Sequence, residues 1–241
     1  MSKKQHPGST FGQQYISLRE KEQRIYTPEQ VARLPEISKE HVHYQEWLVR
    51  KHSCDRLLTY LAEQQRPLDI LESGCGNGWL SAKMSGIKNA VVTGIDVNET
   101  ELAQARSVFS THEHLTYSFG DIRDQSFTDK RYDIILFAAS VQYFPSLNDI
   151  LQHAVSLLKP DGEVHLLDTH FYTAAEVPGA RERTRQYYHS MGFPEMSNFY
   201  FHHQLSALDG FNYTILFDPR RLVNRLLHRK DRFYWVRVRK V

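Results

Sequence analysis

Five strand-like runs alternate with helix-like ones between residues 68 and 169, and this alternation constrains the fold more than anything else in the chain. LDILES, AVVTGIDV, LTYSFGDI, YDIILFAAS and GEVHLLDTH are short and apolar, whereas GWLSAKMS, ETELAQARSVFS and LNDILQHAVSLL carry helical spacing between them. Strands joined through helices pair in parallel, and a parallel sheet needs helices on both faces. Ligands of such sheets sit beyond the carboxyl ends of the strands, where the strand order reverses. That rule gathers residues 72–78, 96, 120–122, 138–143 and 168–172 around one crevice.

Outside the alternation the pattern changes. Residues 1 to about 26 are polar and read as a partly flexible segment. TPEQVARLPE offers Thr27 as N-cap, Pro28 at N1 and Gln30 at N3 of a short helix. Trp47, Leu48, Leu57, Leu58 and Leu61 give one long amphipathic helix over 44–64. Near the end, GARERTRQYYHSMG reads as a helix and FPEMSNFYFHH as an aromatic stretch. FNYTILFD and RFYWVRVRK then read as β-rich, with PRRLVNRLLHR helical between them. The connection over 173–210 is longer than a strand-helix-strand unit requires, and long insertions on the crevice side usually carry function. The expected organisation is an extension over 1–45 and a domain over 46–241. The extension and the insertion at about 173–210 form a cap that shapes a substrate pocket and excludes water.

In LDILESGCGNG, Gly74, Gly76 and Gly78 allow a sharp turn after the first strand and let a ligand touch the backbone. The spacing is not the dinucleotide fingerprint GxGxxG, because Trp79 stands where its third glycine belongs. Glu72 would also repel a pyrophosphate, which disfavours a nicotinamide dehydrogenase. A ligand with a cationic end and no phosphate suits the stretch better. Asp96, ending the second strand, can take both hydroxyls of an unphosphorylated ribose. Asp121, ending the third, can accept from an adenine amino group while Ile122 packs on the ring.

With acids at the ends of three successive strands, the chain resembles the class I S-adenosylmethionine-dependent methyltransferases. LESGCGNG resembles that family's first motif, GIDV its ribose-binding acid and GDI its adenine site. YDIILFAASVQYF resembles the fourth strand and LLKPDGEVHLLD the entry to the fifth. The resemblance covers roughly residues 45–170, with Ser73 a departure from the usual apolar residue. It implies an α/β, Rossmann-like sheet of seven strands, mostly parallel, with helices on both faces and a final antiparallel pair. It also implies S-adenosyl-L-methionine as cofactor, held by Glu72, Gly74, Cys75, Gly76, Asp96, Val97, Asp121, Ile122 and Ala138. Glu72 would lie near the methionine end, and the Gly74 and Gly76 backbone around its amino and carboxylate groups.

Methyl transfer from a sulfonium is an in-line displacement, so the protein mainly has to hold a nucleophile in line with the leaving sulfur. Where the nucleophile carries a proton, a general base helps. Ser140, Gln142 and Tyr143 follow the fourth strand, His170 and Tyr172 the fifth, and His202 and His203 lie in the insertion. Tyr143, His170, His202 and His203 are the candidates for the substrate side. A metal on His202 and His203 is not expected, because adjacent strand residues point to opposite faces. Arg19, Lys21, Arg24 and Tyr26 in LREKEQRIY can contribute to the cap.

Residues 220–240 hold nine Lys or Arg and one acid, a balance of +8 that leaves −6 for the rest of a chain whose total is +2. A basic end fits a solvated helix face, an anionic substrate, a membrane surface or RNA. No RNA-binding module is visible, and the aromatics lie elsewhere. No run approaches the length of a transmembrane helix, the start lacks a secretory pattern, and the two cysteines, Cys54 and Cys75, form no framework. The expectation is a cytoplasmic methyltransferase for a small molecule, at oxygen or nitrogen. A nucleic-acid methyltransferase and a cofactor-binding protein without catalysis are the rivals.

Overall fold

The computed structural model describes residues 7–227 and 231–240. Three helices come first: α1 (Pro7–Lys21), α2 (Pro28–Arg33) and α3 (Tyr44–Ala62). The polar start, expected to be partly flexible, is therefore helical from Pro7. Few of its residues are apolar, and tertiary contact holds it: Leu18 is buried against Tyr188 and Met196, from the far end of the chain. Local periodicity carries no trace of such a partner. α2 begins as its capping box predicts. The Thr27 hydroxyl accepts from the Gln30 N–H at 3.3 Å, and the Gln30 side chain accepts from the Thr27 N–H at 2.9 Å.

The alternating region follows as β1 (Leu68–Ser73), α4 (Trp79–Ser85), β2 (Ala90–Asp96), α5 (Glu99–Val108), β3 (Leu115–Phe119), a single turn α6 (Gln125–Thr128), β4 (Tyr132–Ala138), α7 (Leu147–Ser156) and β5 (Leu158–Thr169). The chain closes with α8 (Val177–Ser190), β6 (Asn212–Phe217), α9 (Leu222–Leu227) and β7 (Tyr234–Arg239). All seven strands form one sheet in the order β3-β2-β1-β4-β5-β7-β6. The first five run parallel, and β7 is antiparallel to both β5 and β6. This is the predicted seven-stranded, mostly parallel sheet with its final antiparallel pair. Among the described residues, no helix is long and apolar enough to cross a membrane.

Successive residues of each central strand feed opposite faces. Ile70, Val92, Ile134 and Leu136 pack with Leu57, Leu61, Leu80 and Met84 on one side. Leu71, Ile95, Ile135 and Phe137 pack with Ile150, Leu151 and Ala154 on the other. Burial on both faces explains why the strands read as nearly continuous apolar runs. The strand order reverses between β1 and β4, so the crevice opens beyond their carboxyl ends.

Candidate functional site

β1 hands over to its glycine loop with the N–H groups of Gly74 and Cys75 both donating to the Ile95 carbonyl, at 2.8 and 3.0 Å. Gly74 sits at φ +79°, and a Cβ there would lie 2.5 Å from the Ser140 Cβ, so neither the backbone nor the space admits a side chain. At Gly76 the nearest atoms a Cβ would meet are those of the Glu101 carboxylate, at the ordinary contact distance of 3.5 Å, and the middle of the loop faces the crevice.

Three carboxylates surround that part of the loop. Glu72 is buried and accepts a hydrogen bond from the Ser81 hydroxyl. Burial pushes its carboxyl up to about 8, the Asp96 charge adds to the rise, and the Ser81 bond opposes it. Asp96 accepts from the Gly76 N–H and the Asn98 N–H, each at 2.8 Å. Burial raises its pKa against the pull of these amides. Glu101, in the first turn of α5, accepts no hydrogen bond from the described residues. Burial and then the Asp96 charge push it up to about 7, with Arg19 opposing. Asp121 differs: Arg123 holds it with two side-chain bonds, at 2.8 and 2.7 Å, and outweighs burial to keep its carboxyl below the ordinary range.

The crevice consists of two adjoining cavities. Asp96, Val97, Asp121, Tyr143, Phe144 and Phe199 line one. Glu72, Cys75, Ala138, Arg19, Arg24 and Arg50 line the other. Tyr15, Gly74, Gly76 and Glu101 face both. The structure thus brings together Glu72, Gly74, Cys75, Gly76, Asp96, Val97, Asp121, Ala138 and Tyr143. It does not bring Ile122 to the wall: that residue is fully buried in the core beneath.

The three histidine candidates also lie elsewhere. His170 lies against Phe233, with tilted rings 4.6 Å apart, in a separate cleft with Arg220 and Arg225. His202 meets the Thr184 hydroxyl through Nε2 at 2.9 Å, and His203 donates from Nε2 to the Val141 carbonyl at 3.0 Å. Burial lowers the pKa of all three. The cause is the path of the backbone after β5. Asp168, at φ +54°, falls where the β5–β7 register shifts, and Thr169 beyond it still pairs with Tyr234 before the chain leaves the sheet. Tyr172 then donates its N–H to the His203 carbonyl at 3.0 Å, so the histidine pair runs along the outside of the crevice loop.

Among the wall residues absent from the sequence reading are Tyr15 and Glu101, which face both cavities. Glu101 was within reach of that reading, since it lies five residues past Asp96 at the start of a helix whose N-terminus faces the crevice. Tyr15 carried no signal, because only the packing of α1 places it against Tyr143, with ring centroids 6.0 Å apart. Of the residues named in LREKEQRIY, Arg19, Arg24 and Tyr26 come to the site, whereas Lys21 donates to the Met191 carbonyl at 2.9 Å instead. Arg19 donates to the Tyr15 hydroxyl at 2.8 Å, and Arg24 grips Glu46 with two bonds, at 2.9 and 2.6 Å. Burial works against the charge of Glu46, yet Arg24 and Arg50 hold it at about 2.

Residues 70–162 match the family model described as a methyltransferase domain. A malonyl-(acyl-carrier protein) O-methyltransferase of Ilyobacter polytropus is 28% identical over 116 residues, 48% of this chain and 44% of that protein. The ubiquinone biosynthesis O-methyltransferase of Glaesserella parasuis is 35% identical over 100 residues, 39% of this chain and 42% of that one. The chain therefore spans less than half the length of either relative. Among solved structures, magnesium protoporphyrin IX methyltransferase of Synechocystis PCC 6803 with bound SAM superimposes with a TM-score of 0.60 at 15% identity. That match covers 99% of this chain and 100% of the other, and it is a likeness of fold.

Proposed function

We propose that the chain is a class I S-adenosylmethionine-dependent methyltransferase, as its match to the methyltransferase domain model supports, and that it transfers a methyl group from S-adenosyl-L-methionine to an oxygen or nitrogen of a small molecule. One observation carries this reading: Glu72, Asp96 and Glu101 converge on the middle of the glycine loop, and burial presses on all three carboxyls. Such a site gains from a ligand that brings positive charge without phosphate, as a sulfonium beside an ammonium does. A dinucleotide would set its pyrophosphate against the same acids.

The residues present fit this cofactor. Asp96 keeps lone pairs for the ribose hydroxyls beyond those given to its two amides, with Val97 beside it. Asp121 would face the adenine amino group. Glu72, Cys75, Ala138 and the Gly74 and Gly76 backbone would hold the methionine end. When bound, the cofactor supplies a methyl group made electrophilic by its sulfonium.

The chain's own part is to place the acceptor, and well-oriented placement supplies about 7–11 kcal/mol of such a barrier. Tyr15, Tyr143, Phe144 and Phe199 would form the substrate side. Tyr143 is the member of the candidate set that faces this cavity. Burial holds its phenol above the ordinary range, which suits donation of a hydrogen bond to the acceptor better than removal of its proton. α1 and the 173–210 connection meet through Leu18, Tyr188 and Met196, which supports their reading as a cap that excludes water. The named substrates of the relatives favour a small molecule over a nucleic acid: the carrier-protein and ubiquinone enzymes above are joined by a 27-O-demethylrifamycin SV methyltransferase of Amycolatopsis mediterranei, 22% identical over 145 residues. The cytoplasm remains the expected compartment.

Calorimetric titration with S-adenosylmethionine and S-adenosylhomocysteine tests the reading, with NAD and bulk RNA as controls. Micromolar binding of the first two and silence from NAD is the expected result. Absence of both would overturn it and favour a protein that does not use this cofactor.

A further inference from the structure

α9 is the one described helix that shows large aliphatic side chains mainly to water. Leu222, Val223 and Leu226 are 73%, 63% and 68% exposed. Leu226 follows Val223 by three residues and Leu222 by four, so the three share one face of the helix. Its helical turn reaches back to Arg221, whose carbonyl accepts from the Arg225 N–H at 2.9 Å, so Arg221 and Arg225 flank that face. Arg225 and Arg232 line the adjoining cleft with Arg220 and His170. Glu176 pairs with Arg220 at 3.0 Å. Among the described residues no carboxylate pairs with Arg221, Arg225 or Arg232. Arg229, the next member of the basic stripe in the sequence, lies outside the described residues.

Topology fixes where this surface points. β7 is antiparallel to β5 and to β6, so β6 runs in the direction of β5. The connection after β6 therefore leaves from the end of the sheet at which the crevice opens.

We infer that the β6–β7 connection is an interfacial anchor, which seats Leu222, Val223 and Leu226 among the acyl chains of an anionic bilayer while Arg221, Arg225 and Arg232 meet the lipid phosphates. Aliphatic tips beside arginines that have no carboxylate partner among the described residues suit the headgroup boundary, where each half of the surface finds its own solvent. Three side chains on a short helix fall far below the roughly 20–30 residues a side that a stable protein interface uses. RNA would engage the arginines but leave the aliphatics in water, and this helix carries no aromatic ring for a base to stack on. An anchor at this end of the sheet turns the mouth of the crevice toward the membrane.

Flotation of the full chain with vesicles tests the inference, using phosphatidylcholine alone, an equal mixture of phosphatidylcholine and phosphatidylglycerol, and poly(U) as competitor. Binding to the mixed vesicles alone, weakened by salt, is expected. Arg221→Gln and Arg225→Gln should each weaken it roughly fivefold. Leu222→Ser, Val223→Ser and Leu226→Ser together should abolish it, with melting temperature and cofactor titration unchanged because all three residues are exposed. No binding to the mixed vesicles would overturn the anchor, as would binding that survives the triple serine variant. Displacement by poly(U) that depends on the arginines but not the leucines would assign the surface to RNA instead.

Discussion

Replacing Glu72 with glutamine should stabilise the cofactor-free protein, and the gain should grow with pH. The carboxyl ordinarily titrates near 4.5 and is pushed up to about 8 in the fold, chiefly by burial. Between these values the unfolded chain has released the proton and the folded one retains it. The unfolded state thus binds fewer protons, and stability falls as pH rises, by about 1.4 kcal/mol per pH unit. The loss is small at pH 5, reaches about 3 kcal/mol at pH 7 and levels off above the folded pKa. Glu72→Gln has no such proton to release, and its amide can still meet the Ser81 hydroxyl. For a chain of this size about 3 kcal/mol corresponds to roughly 6–12 °C in Tm. Thermal melts of the cofactor-free wild type and variant, from pH 5 to pH 8.5, should therefore diverge toward high pH. Glu101, pushed up to about 7, slopes the same way in both proteins. Parallel melting curves across the range would refute the reasoning, because they would show that Glu72 ionises in the fold as it does in water. If the site is built for a cation, the same variant should bind S-adenosylmethionine more weakly.

Three further outcomes follow from the same geometry. Cofactor binding near pH 7 should release protons, since Glu72 and Glu101 hold them in the free protein and a sulfonium favours the ionised forms; titrations in buffers of different ionisation enthalpy read this as a dependence of the observed heat on the buffer, and equal heats would count against it. Asp96→Ala strands the Gly76 and Asn98 amides, each bound at 2.8 Å, and should lower cofactor affinity at least tenfold together with a fall in Tm of several degrees, at about 1–3 kcal/mol for each unpaired buried group; unchanged affinity would remove Asp96 from the site. His202→Ala should cost about 1 kcal/mol in denaturant unfolding through the lost Thr184 contact at 2.9 Å and leave cofactor affinity intact, and a large change in that affinity would return the histidine to the crevice.

Local patterning and backbone chemistry made much of this protein legible in the sequence. The strands announced themselves because burial on both faces demands unbroken apolar runs such as IILFA in β4. The loop announced itself because Gly74 takes a positive φ with no room for a Cβ, and Asp96 and Asp121 stand at strand ends by the chain's own spacing. Tertiary structure alone decided what closes the crevice. α1 has too few apolar residues to declare itself and is held by Tyr188 and Met196, more than 160 positions away, so neither its helix nor Tyr15 could be read. His170, His202 and His203 looked well placed by their positions after β5 and in the insertion, yet the Tyr172–His203 backbone bond and the His203 bond to the Val141 carbonyl hold that stretch outside the crevice loop. Period and spacing are properties of short stretches and survive in the sequence. Which face a distant segment lands on is set by contacts between segments, and those exist only once the chain has folded.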